Sequence, residues 1–409
     1  MKSKNDRVIL RELAKKVAEI AELPEMDKKR QEWKKHNALN RVRPMMLVFP
    51  EGSWRELLPE EVLECKEKKA RKIEWELRRR LYKYNNFQDD TPVEKNWIVK
   101  KNISNTGWGV EPKKIESTQP TGSWGFDPVI NDESDLDKMT YPEIKYNEDT
   151  TLEELNQMQE LFGDILEVKL KGIDHISFHL MNIYCKLRGL EQIMWDMYDN
   201  PDMLHKAMSI LEKGHQNMIE QYRQQNLFSL NNDETYHSSG GVGYTDELPQ
   251  SDFNPDKVRP EDMWASAEAQ EMAQVSPEMH AEFILPYEKR LLKPFGLNGY
   301  GCCEDLTHKL DEVFTIPGIR RISISPWADV EVCAKKLQDN YIYSWKPDPS
   351  HLVGNFSEDK VEKYVSKTLE CTRDSIIEII LKDTHTCENK PERFNKWTEV
   401  VRHLIDKMD

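Results

Sequence analysis

Two short clusters carry the residue types most able to do chemistry: Cys302-Cys303-Glu304 and His385-Thr386-Cys387. Thiolate, imidazole and carboxylate groups are the usual ligands of zinc, and a catalytic zinc takes three of them and leaves one position open. The spacing points to a cation held by Cys302, Cys303, Glu304 and His385, drawn from two separate strand ends. Adjacent strand residues face opposite ways, so one cysteine is expected to face the interior squarely and the following loop to swing the other inward. Two further readings of the same residues stay open. One is a cysteine nucleophile with His385 as its base. The other is a packed cysteine and a capping histidine with no catalytic role. Asp233, His237 and Glu268 are candidates to orient a substrate or to shuttle a proton.

These clusters follow short apolar runs, which are the elements that must position them. The runs fall at 45–49, 165–171, 227–230, 263–267, 297–302, 320–324, 341–345 and 376–381, and helical stretches separate most of them. Buried, non-alternating strands that alternate with helices predict a parallel sheet, and eight such units predict a closed TIM (β/α)8 barrel. In that fold, chemistry gathers at the C-terminal strand ends. Asp329 and Asp383 are also explained as ordinary helix caps, whereas Cys-Cys-Glu and His-Thr-Cys are not. Residues 1–43 read as an N-terminal helical extension, 44–409 as the barrel, and 85–150 as an irregular insertion over its mouth. The insertion carries Trp97, Trp108, Trp124 and Phe126, which either line a pocket or pin the segment to the surface. The glycine-rich stretch 239–243 lacks a nucleotide-binding context and reads as a loop free to approach a substrate or to move.

The bulk numbers narrow the function classes. The chain has 409 residues, 38% hydrophobic and 32% charged, with a formal charge of −15. An acidic chain is a poor partner for nucleic acid, which demands a Lys/Arg-rich surface. No apolar run approaches a membrane span, and no signal-peptide core is present. Seven cysteines do not make a disulfide framework in a chain this long. A cytoplasmic protein is expected.

The stretch 263–399 resembles the uroporphyrinogen-decarboxylase-like superfamily, and within it the corrinoid-dependent methyltransferases. The resemblance rests on Ser276-Pro277-Glu278-Met279, Tyr300-Gly301-Cys302-Cys303-Glu304, the run from Arg320 to Pro326, Lys346-Pro347-Asp348-Pro349, Lys382-Asp383-Thr384-His385-Thr386, and Arg43-Pro44. Such methyltransferases hold zinc with His-x-Cys at one strand end and a further Cys at the last. Here Tyr300 stands at the histidine position, Cys302 fits the first cysteine, and His385 or Cys387 fits the last. The Arg-rich N-terminal motif of true uroporphyrinogen decarboxylases is not found. The resemblance implies zinc, a corrinoid (cobalamin) carried on a partner protein, and methyl transfer from a small methylated substrate. An aryl methyl ether is favoured because Tyr236, Tyr244, Trp264, Trp327 and Trp345 fall near the expected mouth. A metal-free decarboxylase and a non-catalytic corrinoid or tetrapyrrole carrier are the alternatives. The oligomeric state stays open, with a homodimer among the options.

Overall fold

A computed structural model describes residues 3–118 and 125–408. Trp124 lies outside the described residues. The chain forms a seven-stranded parallel sheet flanked by helices, an α/β fold of TIM-barrel-like character. The strands are, in chain order, β1 (Met45–Val48), β2 (Asn96–Lys100), β3 (Asn102–Asn105), β4 (Lys113–Ile115), β5 (Gly125–Asp127), β6 (Ile144–Asn147), β7 (Glu167–Lys171), β8 (Ser177–Phe178), β9 (Trp264–Ala267), β10 (Leu297–Tyr300), β11 (Ile319–Ile324), β12 (Ile342–Trp345) and β13 (Ile376–Leu381). The central sheet runs β1-β13-β12-β11-β10-β9-β8. β1, β9, β10, β12 and β13 are buried along their whole length, which is why their sequences read as unbroken apolar runs.

The eight expected strands are not the seven that form this sheet. The run at 165–171 yields β7, which pairs with β2 in a separate two-stranded ladder. The run at 227–230 contributes only a bridge between Ile173 and Phe228. β8 has two residues and lies just ahead of the helix Leu180–Arg188. Among the described residues β1 and β8 remain the two edges of the sheet. Beside β1, the Asp90 amide donates to the Met46 carbonyl at 2.8 Å.

The N-terminal helices Lys4–Ala21 and Pro24–Asn37 form as their apolar periodicity predicts. A charged helix runs from Lys68 to Asn86. Its Ala70, Ile73 and Leu77 pack with Leu10, Val17 and Phe162 in a second core, distinct from the one around the sheet. The segment after it is more ordered than an irregular insertion: β3 pairs with β6 and β4 with β5, both antiparallel. Its aromatics pin it down. Trp97 packs on Phe162 and Trp108 on His215, with ring centroids 5.2 Å apart in each pair, and Lys186 sits over the Phe126 ring.

Arg43 has a packing role. Its guanidinium meets both Asp90 oxygens, at 2.7 and 3.0 Å, and Glu32 at 2.9 Å. Asp90 also accepts from the Met46 amide and from Arg402. One buried carboxylate thus ties the entry to β1, the N-terminal helices and the C-terminal helix together. Among the described residues no helix is long and apolar enough to cross a membrane.

Candidate functional site

Four strand ends converge on a pair of thiols. β10 ends at Tyr300, and Gly301 follows with φ +87°. A side chain there would meet Leu306 Cδ1 at 2.7 Å, so the turn requires glycine. It breaks the strand alternation, and as a result both cysteines come to one side, with Sγ atoms 3.6 Å apart. The expectation that only one would face inward without help from the loop is met by this turn.

The last strand supplies the groups opposite. Lys382 Nζ stands 3.6 Å from Cys302 Sγ, and Asp383 Oδ2 stands 3.6 Å from Cys303 Sγ. Asp383 reaches this place from the left-handed region, at φ +58°. Contact with the Cys303 thiol draws the Cys302 thiol below its ordinary range; burial opposes this, and Lys382 reinforces it. The same contact, together with burial, pushes Cys303 up. Of the two, Cys302 is the one biased toward the thiolate and Cys303 the one biased toward the thiol.

From the other side come β8 and β9. His179, directly after β8, hydrogen-bonds through Nδ1 to Glu268 Oε1, directly after β9. Glu268 is buried, and its second oxygen accepts the Gln270 amide at 2.9 Å. Burial alone would lower the His179 pKa, but the bond to Glu268 outweighs it and the net shift is upward. Nε2 is the nitrogen left to face a ligand. Glu304 is buried and spans the two halves, accepting from Cys302 N–H at 2.8 Å and Ala269 N–H at 3.1 Å. Both oxygens are thereby committed to backbone amides.

The four expected metal ligands are consequently not gathered. Cys302 and Cys303 are together, whereas Glu304 braces the backbone. His385 is exposed, with its carbonyl held by Arg55 at 3.0 Å. Lys382 and Asp383, not His385, are the residues of the last strand end that meet the thiols. Among the described residues no group of three or more His, Cys, Asp and Glu side chains is placed to hold a metal ion, and Lys382 puts a positive charge where a cation would have to approach Cys302.

Of the expected catalytic residues, Glu268 belongs to this site. Asp233 is paired with Lys171 and caps Thr235, partners outside the thiol site. His237 is buried against Trp264, ring centroids 5.3 Å apart. Burial and Arg321 hold it well below its ordinary pKa, hence neutral. Trp264 and Trp345 are buried, Tyr244 donates to Glu94 at 2.6 Å, and Trp327 is exposed. Tyr236 alone of the five is set toward the thiols: its buried hydroxyl has no partner among the described residues, burial raises its pKa, and the charges of Lys382 and Cys302 act on it.

The glycine-rich stretch is a plug and not a moving loop. A side chain at Gly241 (φ +61°) would lie 2.4 Å from Arg321 Nη2, and one at Gly240 would lie 1.8 Å from Ser344 Oγ. It seals the interior over a buried ion pair, Arg321 Nε to Glu378 Oε1 at 3.0 Å, with His36 Nε2 3.2 Å from the second oxygen.

Sequence reasoning passed over His179, Lys382 and Lys346. His179 follows a two-residue strand that runs directly into a helix, so the apolar pattern does not set it apart, although Ile-Ser-Phe-His reads as a strand and its end. Lys346, after β12, is buried with Nζ held by the Ser239 carbonyl and by Ser344, and burial draws it down to about 7.

Fold and site define an α/β protein of TIM-barrel-like architecture with a thiol–imidazole–carboxylate centre at the C-terminal ends of its parallel strands. No protein-family model matches the sequence, and no curated protein is similar to it. Among solved structures, the chain is similar to a methyltransferase from Methanosarcina mazei, at 10% identity and a TM-score of 0.49, over 93% of this chain and 98% of that one. Identity and score at this level assign no activity to the chain.

Proposed function

We propose that this chain is a methyltransferase in which the Cys302 thiolate takes a methyl group from a small aryl methyl ether and passes it to the cobalt of a corrinoid on a partner protein. The observation that supports this is the placement of Cys302, with Cys303 and Lys382 favouring its thiolate and the His179–Glu268 pair across from it. Methyl transfer from an ether needs a soft nucleophile in line with the carbon and an acid at the leaving oxygen. The sulfur electron pair forms the S–CH3 bond as the CH3–O bond breaks. The proton on His179 Nε2 passes to the departing phenolate oxygen, and Glu268 stabilises the imidazolium beforehand. Methylation leaves a neutral thioether, and in the onward transfer the Cys302 thiolate is the leaving group, which the Lys382 ammonium is placed to stabilise.

The test uses the full chain with methoxyphenols labelled in the methyl group. A mass increase of one labelled methyl on the Cys302 peptide, lost in Cys302→Ser, is expected. Methyl-cobalt absorbance with a reduced corrinoid protein but no methylated Cys302 at any time would sink the relay.

A second reading is favoured by the 3.6 Å spacings of Cys302, Cys303 and Asp383. Bonds of about 2.3 Å to sulfur in a tetrahedral site put two sulfurs about 3.8 Å apart. In this reading Cys302 and Cys303 are zinc ligands, and the metal supplies Lewis acidity at the ether oxygen. Lys382 must then turn away from the sulfur.

A further inference from the structure

Cys302 and Cys303 are placed to bond to each other. Their Sγ atoms are 3.6 Å apart, and both residues are partly open to solvent, whereas Cys65, Cys333 and Cys387 are buried. A disulfide holds its sulfurs at about 2 Å, so closure is a short swing of two side chains. The 301–304 turn belongs to no helix or strand, and the swing breaks no ladder.

The resulting bond is strained by its place in the chain. Consecutive Cα atoms lie about 3.8 Å apart across a trans peptide, the form this peptide has. Disulfides usually span about 4.4 Å or more between Cα atoms. The backbone of Cys302 is held on both sides: its amide donates to Glu304 at 2.8 Å, and its carbonyl accepts from the Ser323 hydroxyl at 2.6 Å. Cys303 and the turn after it must therefore take up the strain. Strained and exposed disulfides are the easily reduced ones, suited to opening and closing rather than to bracing a fold.

The neighbours give the two sulfurs different parts. Lys382 Nζ is 3.6 Å from Cys302 Sγ, and an ammonium favours an anionic sulfur beside it. Asp383 Oδ2 is 3.6 Å from Cys303 Sγ, where a carboxylate can take the thiol proton.

We propose that Cys302 and Cys303 form a reversible disulfide with each other, a modification site whose co-reactant is a small-molecule disulfide of the oxidised-glutathione class. The Cys302 sulfur attacks one sulfur of the incoming disulfide. That S–S bond breaks, and the first thiolate leaves and takes a proton from water. The Cys303 thiol gives its proton to Asp383 and attacks Cys302 Sγ, and the second thiolate leaves with that proton. Two cysteine thiols are oxidised, and one small disulfide is reduced to two thiols. The closed pair has no sulfur free to accept a methyl group, so closure switches the transfer off. That consequence rests on the proposed function, whereas the bond itself does not.

The test incubates the full chain with oxidised glutathione, with a strong chelator present so that no metal covers the sulfurs. Remaining thiols are then alkylated, and the peptides are read by mass spectrometry. Two of the seven cysteines are expected to escape alkylation, both in the peptide that carries 302 and 303, with the loss of two hydrogens and no glutathione attached. Excess reduced glutathione is expected to restore both thiols. Cys303→Ser is expected to halt after the first exchange and to keep glutathione on Cys302; the wild-type readout decides the matter should that variant not fold. Both sulfurs still alkylated after oxidation, a lasting glutathione adduct on Cys302 of the wild-type chain, or an internal bond that resists excess glutathione overturns the proposal. Methyl transfer by a chain whose pair never closes overturns this proposal alone. A pair that closes in a chain without methyl transfer overturns the proposed function alone.

Discussion

The Nζ of Lys382 lies 3.6 Å from the Sγ of Cys302, across the mouth from a different strand end. Cys302 is lowered first by Cys303 and then by Lys382, so its thiolate persists to lower pH than that of a free cysteine. Alkylation followed peptide by peptide is therefore expected to find Cys302 reacting first among the seven cysteines at neutral pH. Cys303→Ala should displace its reactivity profile toward alkaline pH, and Lys382→Met should do so to a smaller degree. A profile unmoved by both substitutions would remove the electrostatic account of this site.

His179 and Glu268 make the second prediction. The His179 pKa is raised on balance, so the pair stabilises the fold fully below the unfolded value of about 6.5. That stabilisation is lost as pH rises through the higher folded value. Glu268→Gln should bring the His179 resonance to a lower titration midpoint in an NMR titration. It should also reduce methyl transfer by about a hundredfold or more, the usual contribution of a positioned acid. A large rate loss with an unmoved midpoint would mean that Glu268 acts otherwise than through His179.

Much of this architecture is legible in the sequence, and the failures have physical causes. β1, β9, β10, β12 and β13 are buried on both faces, so their apolar runs stand out. β8 has only two residues and merges with the helix after it, so periodicity assigns it to the helix. The thiol pair was visible as residue types, but its geometry depends on the left-handed turn at Gly301. Likewise Asp383 displaces His385 because a single residue at φ +58° redirects the chain, and spacing carries no sign of that. The glycines at 240 and 241 looked like freedom of movement; they are small because Arg321 and Ser344 leave no room.

Arg321 and Glu378 are both fully buried and 3.0 Å apart. Removing one partner of such a pair strands the other charge, so Glu378→Gln is expected to lower unfolding stability by about 3–5 kcal/mol in urea titrations. Burial would raise the Glu378 pKa, but Arg321 and His36 overcome it and hold it at about 2. A depressed carboxylate stabilises above its unfolded pKa of about 4.3 and loses that contribution as pH falls toward the folded value. The wild-type protein should therefore lose stability through this acid window faster than Glu378→Gln does. Gly241→Ala should destabilise as well, because its methyl group meets the Arg321 guanidinium. Equal acid sensitivity in both chains would show that the pair contributes nothing through its charge.

Chelation separates the two readings of the thiol pair. In the relay, labelling of Cys302 by a methyl donor survives exhaustive treatment with a strong chelator, because the activating charges belong to Cys303, Lys382 and His179. In the zinc reading, chelation abolishes transfer and added zinc restores it. Cys302→Ser and Cys303→Ser then lose zinc by elemental analysis, with affinity losses well beyond those of an outer residue. His385→Ala is expected to leave both zinc content and rate within about twofold in either case, because His385 is exposed and Asp383 occupies the approach to the sulfurs. A collapse of activity in His385→Ala would mean that the last strand end rearranges to bring the imidazole inward. The order Lys382–Cys302–Cys303–Asp383 found here would then not be the order of the working site.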